Sequence, residues 1–194
     1  MRALAQAAGL PNHDRKDSTG ICFIGERDFK GFLARYLPAQ PGDIRALTGE
    51  RLGSHDGLMY YTLGQRHGLG LGGAGEAWYV ARKDLANNTL YVVQGENHPA
   101  LLSCGLEADD LHWIAGASPV LPLSCSAKTR YRQPDQACVL TRSPESLSVR
   151  FESPQRALTP GQSVVLYAGE ECLGGGVIQR AVAAARADAV TVPA

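Results

Sequence analysis

The sequence predicts a mainly β protein with a small α part: an N-terminal helical and loop remnant, a small central β-rich domain and a C-terminal antiparallel β-barrel. Short apolar runs recur at roughly 10-residue spacing in the second half of the chain. Each run is bounded by Pro, Gly or Ser, which is typical of a small barrel or sandwich. The 22 glycines and 11 prolines among 194 residues indicate many turns.

The first part, residues 1–40, combines a helical pattern with a loop that carries a cysteine. Residues 2–10 are Ala-rich, lack an N-cap residue and end near Gly9, which predicts the last turns of a helix. Within residues 28–37 the apolar side chains recur at the i, i+3, i+4, i+7 spacing of an amphipathic helix, which Pro38 ends. This pattern suggests that the chain starts inside a domain, and the family resemblance described below implies that residues 1–40 are a remnant of a catalytic domain.

The central part, residues 41–99, changes to a strand-like period. The predicted strands are residues 44–47, 78–82 and 89–94, and residues 83–88 form a hairpin loop. A Gly-rich stretch runs from residue 53 to residue 75. The sequence therefore predicts a small β-rich connecting domain.

The last part, residues 100–181, holds the regularly spaced runs that predict the barrel. The predicted strands are residues 121–127, 137–141, 147–151, 163–167 and 172–179. The tail, residues 182–194, is rich in Ala and Val without turn residues, and we expect it to be disordered.

Composition excludes several classes of protein. Lys plus Arg and Asp plus Glu balance at 19 each, so the chain is not a strongly basic nucleic-acid-coating protein. No apolar stretch reaches the ~18 residues of a membrane span, and we expect a soluble, cytoplasmic protein. We also expect it to be a monomer. Five cysteines lack any C-x-x-C pair, and five histidines lack the i, i+4 spacing, so we expect no metal site.

Residues 68–73 match the pattern G-x-G-x-x-G of dinucleotide-binding loops. The residues before them are polar and the residues after them do not start a helix, so the context argues against that site. No G-x-x-x-x-G-K-[ST] loop is found either. We therefore expect no nucleotide cofactor to bind these residues.

The segment K-T-R-Y-R-Q at residues 128–133 suggests an anion-binding surface. In a strand, Lys128, Arg130 and Arg132 would share one face, where like charges at about 7 Å intervals are best balanced by phosphates. Tyr131 would be available to stack on an unpaired base. An exposed strand with solubilising charges is the alternative interpretation.

Cys22 is the one cysteine with an argument for reactivity. Glycines at positions 20 and 25 flank it, and nearby cations favour its thiolate. Its apolar neighbours, Ile21 and Phe23 among them, would instead bury the thiol and raise its pKa. The residues alone leave a structural and a reactive cysteine open.

Five ordered motifs resemble the bacterial tRNA-specific 2-thiouridylase family, and specifically its C-terminal part. They are K-D-S-T-G-I-C-F-I-G-E-R at residues 16–27, L-M-Y-Y-T-L-G-Q-R at 58–66, K-T-R-Y-R-Q at 128–133, T-P-G-Q-S at 159–163 and C-L-G-G-G at 172–176. The family's N-terminal ATP-binding loop has no counterpart here, so the resemblance implies a piece of that enzyme.

The resemblance implies a role in 2-thiolation of the wobble uridine of tRNAs for Lys, Glu and Gln. Cys22 matches the family's persulfide cysteine, and Arg130, Tyr131 and Gln162 match positions that contact tRNA. ATP with Mg²⁺ is expected for the full-length family, with tRNA and an upstream sulfur-relay protein as partners. Lacking the adenylating site, the chain is expected to be inactive alone. A non-catalytic RNA-binding barrel is the alternative.

Overall fold

The computed structural model describes residues 2–11, 13–14, 36, 38–130, 133–144 and 146–183. It divides into two compact units, Met1–Ala39 and Gln40–Ala194. In the first unit, helix α1 spans Arg2–Ala7 and confirms the helix predicted there. Except for Tyr36, the predicted helix at residues 28–37 lies outside the described residues.

A four-stranded mixed sheet begins the second unit. Its strands are β1 (Gly42–Ala46), β2 (Arg51–His55), β3 (Trp78–Asp84) and β4 (Thr89–Gln94). Their order is β2-β1-β4-β3, in which β1 and β4 run parallel and the other neighbours run antiparallel. The predicted β3–β4 hairpin is confirmed, and a carboxylate oxygen of Asp84 accepts the backbone N–H of Asn87 at 3.0 Å in its loop.

One face of this sheet is covered by the long loop between β2 and β3. Ile44, Val80, Leu90 and Val92 are fully buried on that face. The residues of the loop that pack against them are Leu58, Tyr61 and Leu69. Burial of this apolar surface holds the glycine-rich loop against the sheet.

The remaining strands close into a six-stranded antiparallel barrel, which confirms the predicted fold class. They are β5 (Leu102–Trp113), β6 (Leu123–Lys128), β7 (Gln136–Arg142), β8 (Leu147–Arg156), β9 (Ser163–Ala168) and β10 (Glu171–Ala183). Around the barrel the order is β10-β5-β8-β7-β6-β9, and β9 pairs with β10 to close it. Strand β10 reaches two residues into the tail that the sequence assigns to residues 182–194.

The barrel core follows the period-two alternation of its strands. Along β8, Leu147, Val149 and Phe151 are buried. Arg150, before Phe151, and Glu152, after it, are exposed. On β10, a Cβ at Gly174 would lie 2.1 Å from the carbonyl oxygen of His112. Glycine at this position of the C-L-G-G-G motif therefore lets β10 approach β5 closely.

Arg156, at the end of β8, joins the barrel to the mixed sheet. Its Nε donates to the carbonyl oxygen of Glu96 at 2.9 Å, and its Nη2 donates to that of Gly64 at 3.3 Å. The guanidinium also lies 4.8 Å from the ring centroid of Tyr79 on β3. Next to it, the Ala157 N–H donates to the carbonyl oxygen of Leu101 at 2.7 Å. Charged hydrogen bonds and backbone pairing thus fix this junction.

Candidate nucleic-acid interface

A cleft of about 780 Å³ opens where the end of β6 meets the start of β9. The two strands are antiparallel neighbours with Lys128 opposite Val165, so the C-terminal end of one lies beside the N-terminal end of the other. The residues that line the cleft are Lys128, Thr129, Arg130, Gln162, Ser163, Val165 and Tyr167. Barrel closure therefore brings Gln162 to Lys128 and Arg130, more than 30 positions earlier in the chain.

Lys128 forms an exposed ion pair at this cleft. Its Nζ lies 3.2 Å from a carboxylate oxygen of Asp135 and 5.4 Å from the ring centroid of Tyr167. The two charged side chains are 36% and 55% exposed. An ion pair this exposed contributes at most about 1 kcal/mol, so a phosphate can replace Asp135 at little cost.

Arg130 is exposed, and its guanidinium is oriented by backbone carbonyls of the junction. Nη2 donates to the carbonyl oxygens of Arg156 and Ala157 at 3.3 and 3.1 Å. A guanidinium has five N–H donors, so these two bonds hold the group while the other donors face the cleft or solvent. The side chain is therefore oriented before any ligand arrives.

The expected single strand through residues 128–133 is wrong, because β6 ends at Lys128. Thr129 and Arg130 lie in a bend, and Gln133 N–H donates to the Arg130 carbonyl oxygen at 3.2 Å. The side chain of Gln133 stabilises the turn because its Oε1 accepts both the N–H and the hydroxyl of Thr129 at 3.1 Å. Lys128 and Arg130 face the same cleft, but not as alternate residues of a strand.

A buried amide network supports this turn from below. Gln155 on β8 is only 5% exposed, and its Oε1 accepts from Gln133 Nε2 at 2.9 Å. Its own Nε2 donates to Gln136 Oε1 at 2.9 Å and to the Ser153 carbonyl oxygen at 2.8 Å. A satisfied buried network of this kind fixes the position of the turn that carries Arg130.

Tyr167 and Ser163 are cleft residues that the sequence does not reveal. Tyr167 appears in the sequence only as part of a predicted strand, and Ser163 also ends the T-P-G-Q-S motif but has no role assigned to it. The position of both in the cleft depends on pairing between β6 and β9. Tyr167 is partly exposed and presents an aromatic ring beside Lys128. Such a ring can stack on a base, the role that the sequence suggests for Tyr131. Tyr131, Arg132 and Cys22 lie outside the described residues.

Two further observations concern metals and membranes. The described ranges contain no group of three His, Cys, Asp or Glu side chains that could hold a metal ion. Likewise, within the part of the chain that the structure describes, no helix is long and apolar enough to cross a bilayer.

On the surface of the mixed sheet, Asp43 accepts hydrogen bonds from two arginines. Its carboxylate accepts from Arg51 Nε at 2.8 Å and from Arg45 Nη2 at 2.7 Å. These hydrogen bonds, that of Arg51 first, hold the pKa of Asp43 below its ordinary value of 3.8. The hydrogen bond from Arg51 ties β1 to β2.

Comparison with known proteins identifies the family. Residues 30–94 match the tRNA methyl transferase PRC-barrel domain, and residues 103–178 match the aminomethyltransferase beta-barrel domain. The chain is 61% identical over 185 residues to the tRNA-specific 2-thiouridylase MnmA of Alkalilimnicola ehrlichii. It is 60% and 57% identical over 183 residues to the MnmA proteins of Nitrosococcus oceani and Xanthomonas axonopodis.

Each of these matches includes 92% of this chain and 48–50% of the relative. The chain thus spans about half the length of the curated relatives it matches. The matched range 30–94 includes all four strands of the mixed sheet, and the matched range 103–178 lies within the barrel. The chain matches the C-terminal part of the MnmA family of tRNA-specific 2-thiouridylases.

Proposed function

We propose that this chain takes part in 2-thiolation of the wobble uridine of tRNAs for Lys, Glu and Gln, holding tRNA at the barrel cleft and carrying sulfur on Cys22. The observation that carries the proposal is the meeting of Lys128, Arg130 and Gln162 in one cleft. The names of the relatives supply the reaction. The partners are tRNA and a sulfur-relay protein, and the setting is the cytoplasm.

The cleft suits a nucleic-acid strand. Lys128 and Arg130 supply positive charge for phosphates, and Gln162 adds an exposed amide at their side. Tyr167 offers a ring on which a base can stack. Because Arg130 is already hydrogen-bonded to backbone carbonyls, less side-chain entropy is lost when it meets a phosphate.

The sulfur role proposed for Cys22 rests on the motif at residues 16–27 and requires only thiol exchange chemistry. Its thiolate attacks the outer sulfur of a donor persulfide, so a new S–S bond forms at Cys22, the donor S–S bond breaks and the donor leaves as a thiolate. No net oxidation occurs. The terminal sulfur that Cys22 then carries attacks C2 of the uridine as the activated C2 oxygen leaves. A second thiolate of the complete enzyme then attacks the Cys22 sulfur, so that the S–S bond to the uridine sulfur breaks, the thiolated base is released and a disulfide remains at Cys22.

ATP with Mg²⁺, when bound to the complete enzyme, would make the C2 oxygen a leaving group. We place its binding outside the described residues of this chain, because residues 68–73 lie in a loop that leads into β3 and do not precede a helix N-terminus. By itself the chain is therefore expected to bind tRNA without thiolating it.

Exchange of Gln162 tests the RNA role. Gln162→Ala removes one hydrogen-bonding group and should weaken tRNA binding about threefold, whereas Gln162→Glu adds a repelling charge and should weaken it about tenfold. Ser118→Glu adds the same charge at an exposed residue that lines other barrel cavities, and should leave binding nearly unchanged. Equal weakening by both glutamates would refute the cleft as the interface.

A non-catalytic RNA-binding barrel is the second candidate, and it is favoured by the confinement of the cleft to barrel residues. Loading with a persulfide donor and mapping the adducts by mass spectrometry separates the two. Preferred labelling of Cys22, lost in Cys22→Ser, supports the sulfur role. Equal labelling of several cysteines with intact tRNA binding supports the barrel module alone.

A further inference from the structure

Two cysteines that the cleft and the sulfur chemistry do not use lie side by side in the barrel. Cys125 on β6 and Cys138 on β7 are directly opposite each other in the antiparallel register. Their sulfur atoms are 3.7 Å apart, within hydrogen-bonding distance. Both residues face the barrel core, where Cys138 is 2% exposed and Cys125 is partly exposed.

The backbone places this pair within reach of a disulfide. Directly opposed residues of antiparallel strands have Cα atoms about 4.5–5.5 Å apart, inside the ~4.4–6.8 Å range of disulfides. Rotation of the two side chains is needed to bring the sulfur atoms from 3.7 Å to about 2.05 Å. The strands themselves can stay paired while the bond forms.

The two thiols are chemically unequal. The two sulfur atoms share a hydrogen bond in which either thiol can donate. This hydrogen bond lowers the pKa of Cys125 and raises the pKa of Cys138. Burial and the negative charge of Glu152 add to the rise at Cys138. Cys125 is the more exposed of the two thiols and is therefore the one that a peroxide reaches first.

We propose that Cys125 and Cys138 are an oxidation site, at which a hydroperoxide converts the two thiols into a reversible cross-strand disulfide. The Cys125 thiolate attacks one peroxide oxygen, the O–O bond breaks, and a sulfenic acid and hydroxide form. The Cys138 sulfur then displaces the sulfenic oxygen, which leaves as water with the thiol proton. Two thiols and one hydrogen peroxide thus give one disulfide and two waters.

The position of the pair gives the disulfide a structural consequence. The register runs from Cys125 opposite Cys138 to Ala127 opposite Gln136, where the turn with Thr129 and Arg130 begins. A disulfide at Cys125 and Cys138 would link β6 to β7 two residue pairs before this turn. It would therefore hold together the two strands that support the turn. The inference does not depend on the proposed thiolation, because it uses neither tRNA nor Cys22.

Tryptic mapping of the peroxide-treated full chain tests the proposal. Trypsin leaves Cys125 in the peptide of residues 84–128 and Cys138 in the peptide of residues 133–142, so the disulfide joins two separate peptides. Because residues 84–128 also contain Cys104, the experiment is run in Cys104→Ser as well as in the unaltered chain. We expect the linked pair in both, a mass lower by two hydrogen atoms, and reversal by dithiothreitol.

The variant Cys138→Ser removes the resolving thiol and keeps the attacking one. In it the linked peptides should be absent, and the Cys125 sulfenic acid should be trapped by dimedone. Failure of the pair to link in folded Cys104→Ser, or preferential linkage of Cys138 to another cysteine, would overturn the proposal. Stronger dimedone labelling of Cys138 in Cys125→Ser than of Cys125 in Cys138→Ser would overturn the assigned order of attack.

Discussion

The guanidinium of Arg130 donates to the carbonyl oxygen of Ala157 at 3.1 Å. Ala157 is buried and has a φ of 51°, a backbone conformation unusual for alanine, directly after the Arg156 that binds the mixed sheet. Its N–H donates to the carbonyl oxygen of Leu101, the residue before the first barrel strand. The cleft arginine is thus hydrogen-bonded to the segment that joins the two β structures.

The first prediction concerns this junction. Arg156→Ala removes two charged hydrogen bonds and a cation–π contact, so we expect a loss of about 2 kcal/mol in the free energy of unfolding. Urea denaturation measures it, and amide exchange at Gly64 should accelerate. Arg150→Ala, an exposed arginine of the same strand, is the control and should change stability by less than about 0.5 kcal/mol. Equal losses of stability in the two variants would show that the Arg156 side chain does not stabilise the junction.

The second prediction concerns the buried amide network below the cleft. Gln155→Ala leaves Gln133 and Gln136 without their buried partner, so we expect a loss of about 1–3 kcal/mol in the free energy of unfolding. Because Gln133 also orders the turn at Thr129, tRNA affinity should fall as well. A variant that keeps both full stability and full tRNA affinity would show that the network does not support the cleft.

The third prediction concerns acid sensitivity at Asp43. Hydrogen bonds from Arg51 and Arg45 lower the folded-state pKa below 3.8, so the stabilisation is fully present above that value and is lost as the pH falls through the folded-state pKa. The stability of Asp43→Asn should therefore decline less steeply between about pH 5 and pH 2. Thermal melts along this series measure the slope. Identical slopes for the variant and the unaltered chain would contradict the assignment.

Local sequence patterns identify much of the fold. The β3–β4 hairpin and five of the barrel strands follow from apolar runs between turn residues, and β4 has the predicted ends. Strands β2 and β5 are not predicted from the sequence. Glycine and polar residues interrupt the apolar pattern of β2, and acidic residues such as Glu107 interrupt that of β5. Both strands owe their pairing to tertiary contacts, which local periodicity does not contain.

The candidate site is predictable in its residue types and not in its geometry. The cations Lys128 and Arg130 are visible in the sequence, and the family resemblance adds Gln162. The turn after β6 depends on Gln133 binding Thr129, and Tyr167 reaches the cleft only because β9 pairs with β6. Such long-range pairing is set by barrel closure and has no signal within a short window.

If tRNA binds this barrel cleft as proposed, the salt dependence of tRNA binding must change in Arg130→Ala. Fluorescence-anisotropy titrations with labelled tRNA over a series of salt concentrations give the slope of log affinity against log salt. We predict that the slope becomes shallower by about one unit in Arg130→Ala, because one phosphate contact is lost. Arg142→Ala, which lines other cavities of the barrel, should keep the original slope. A slope in Arg130→Ala equal to that of the unaltered chain would contradict the claim.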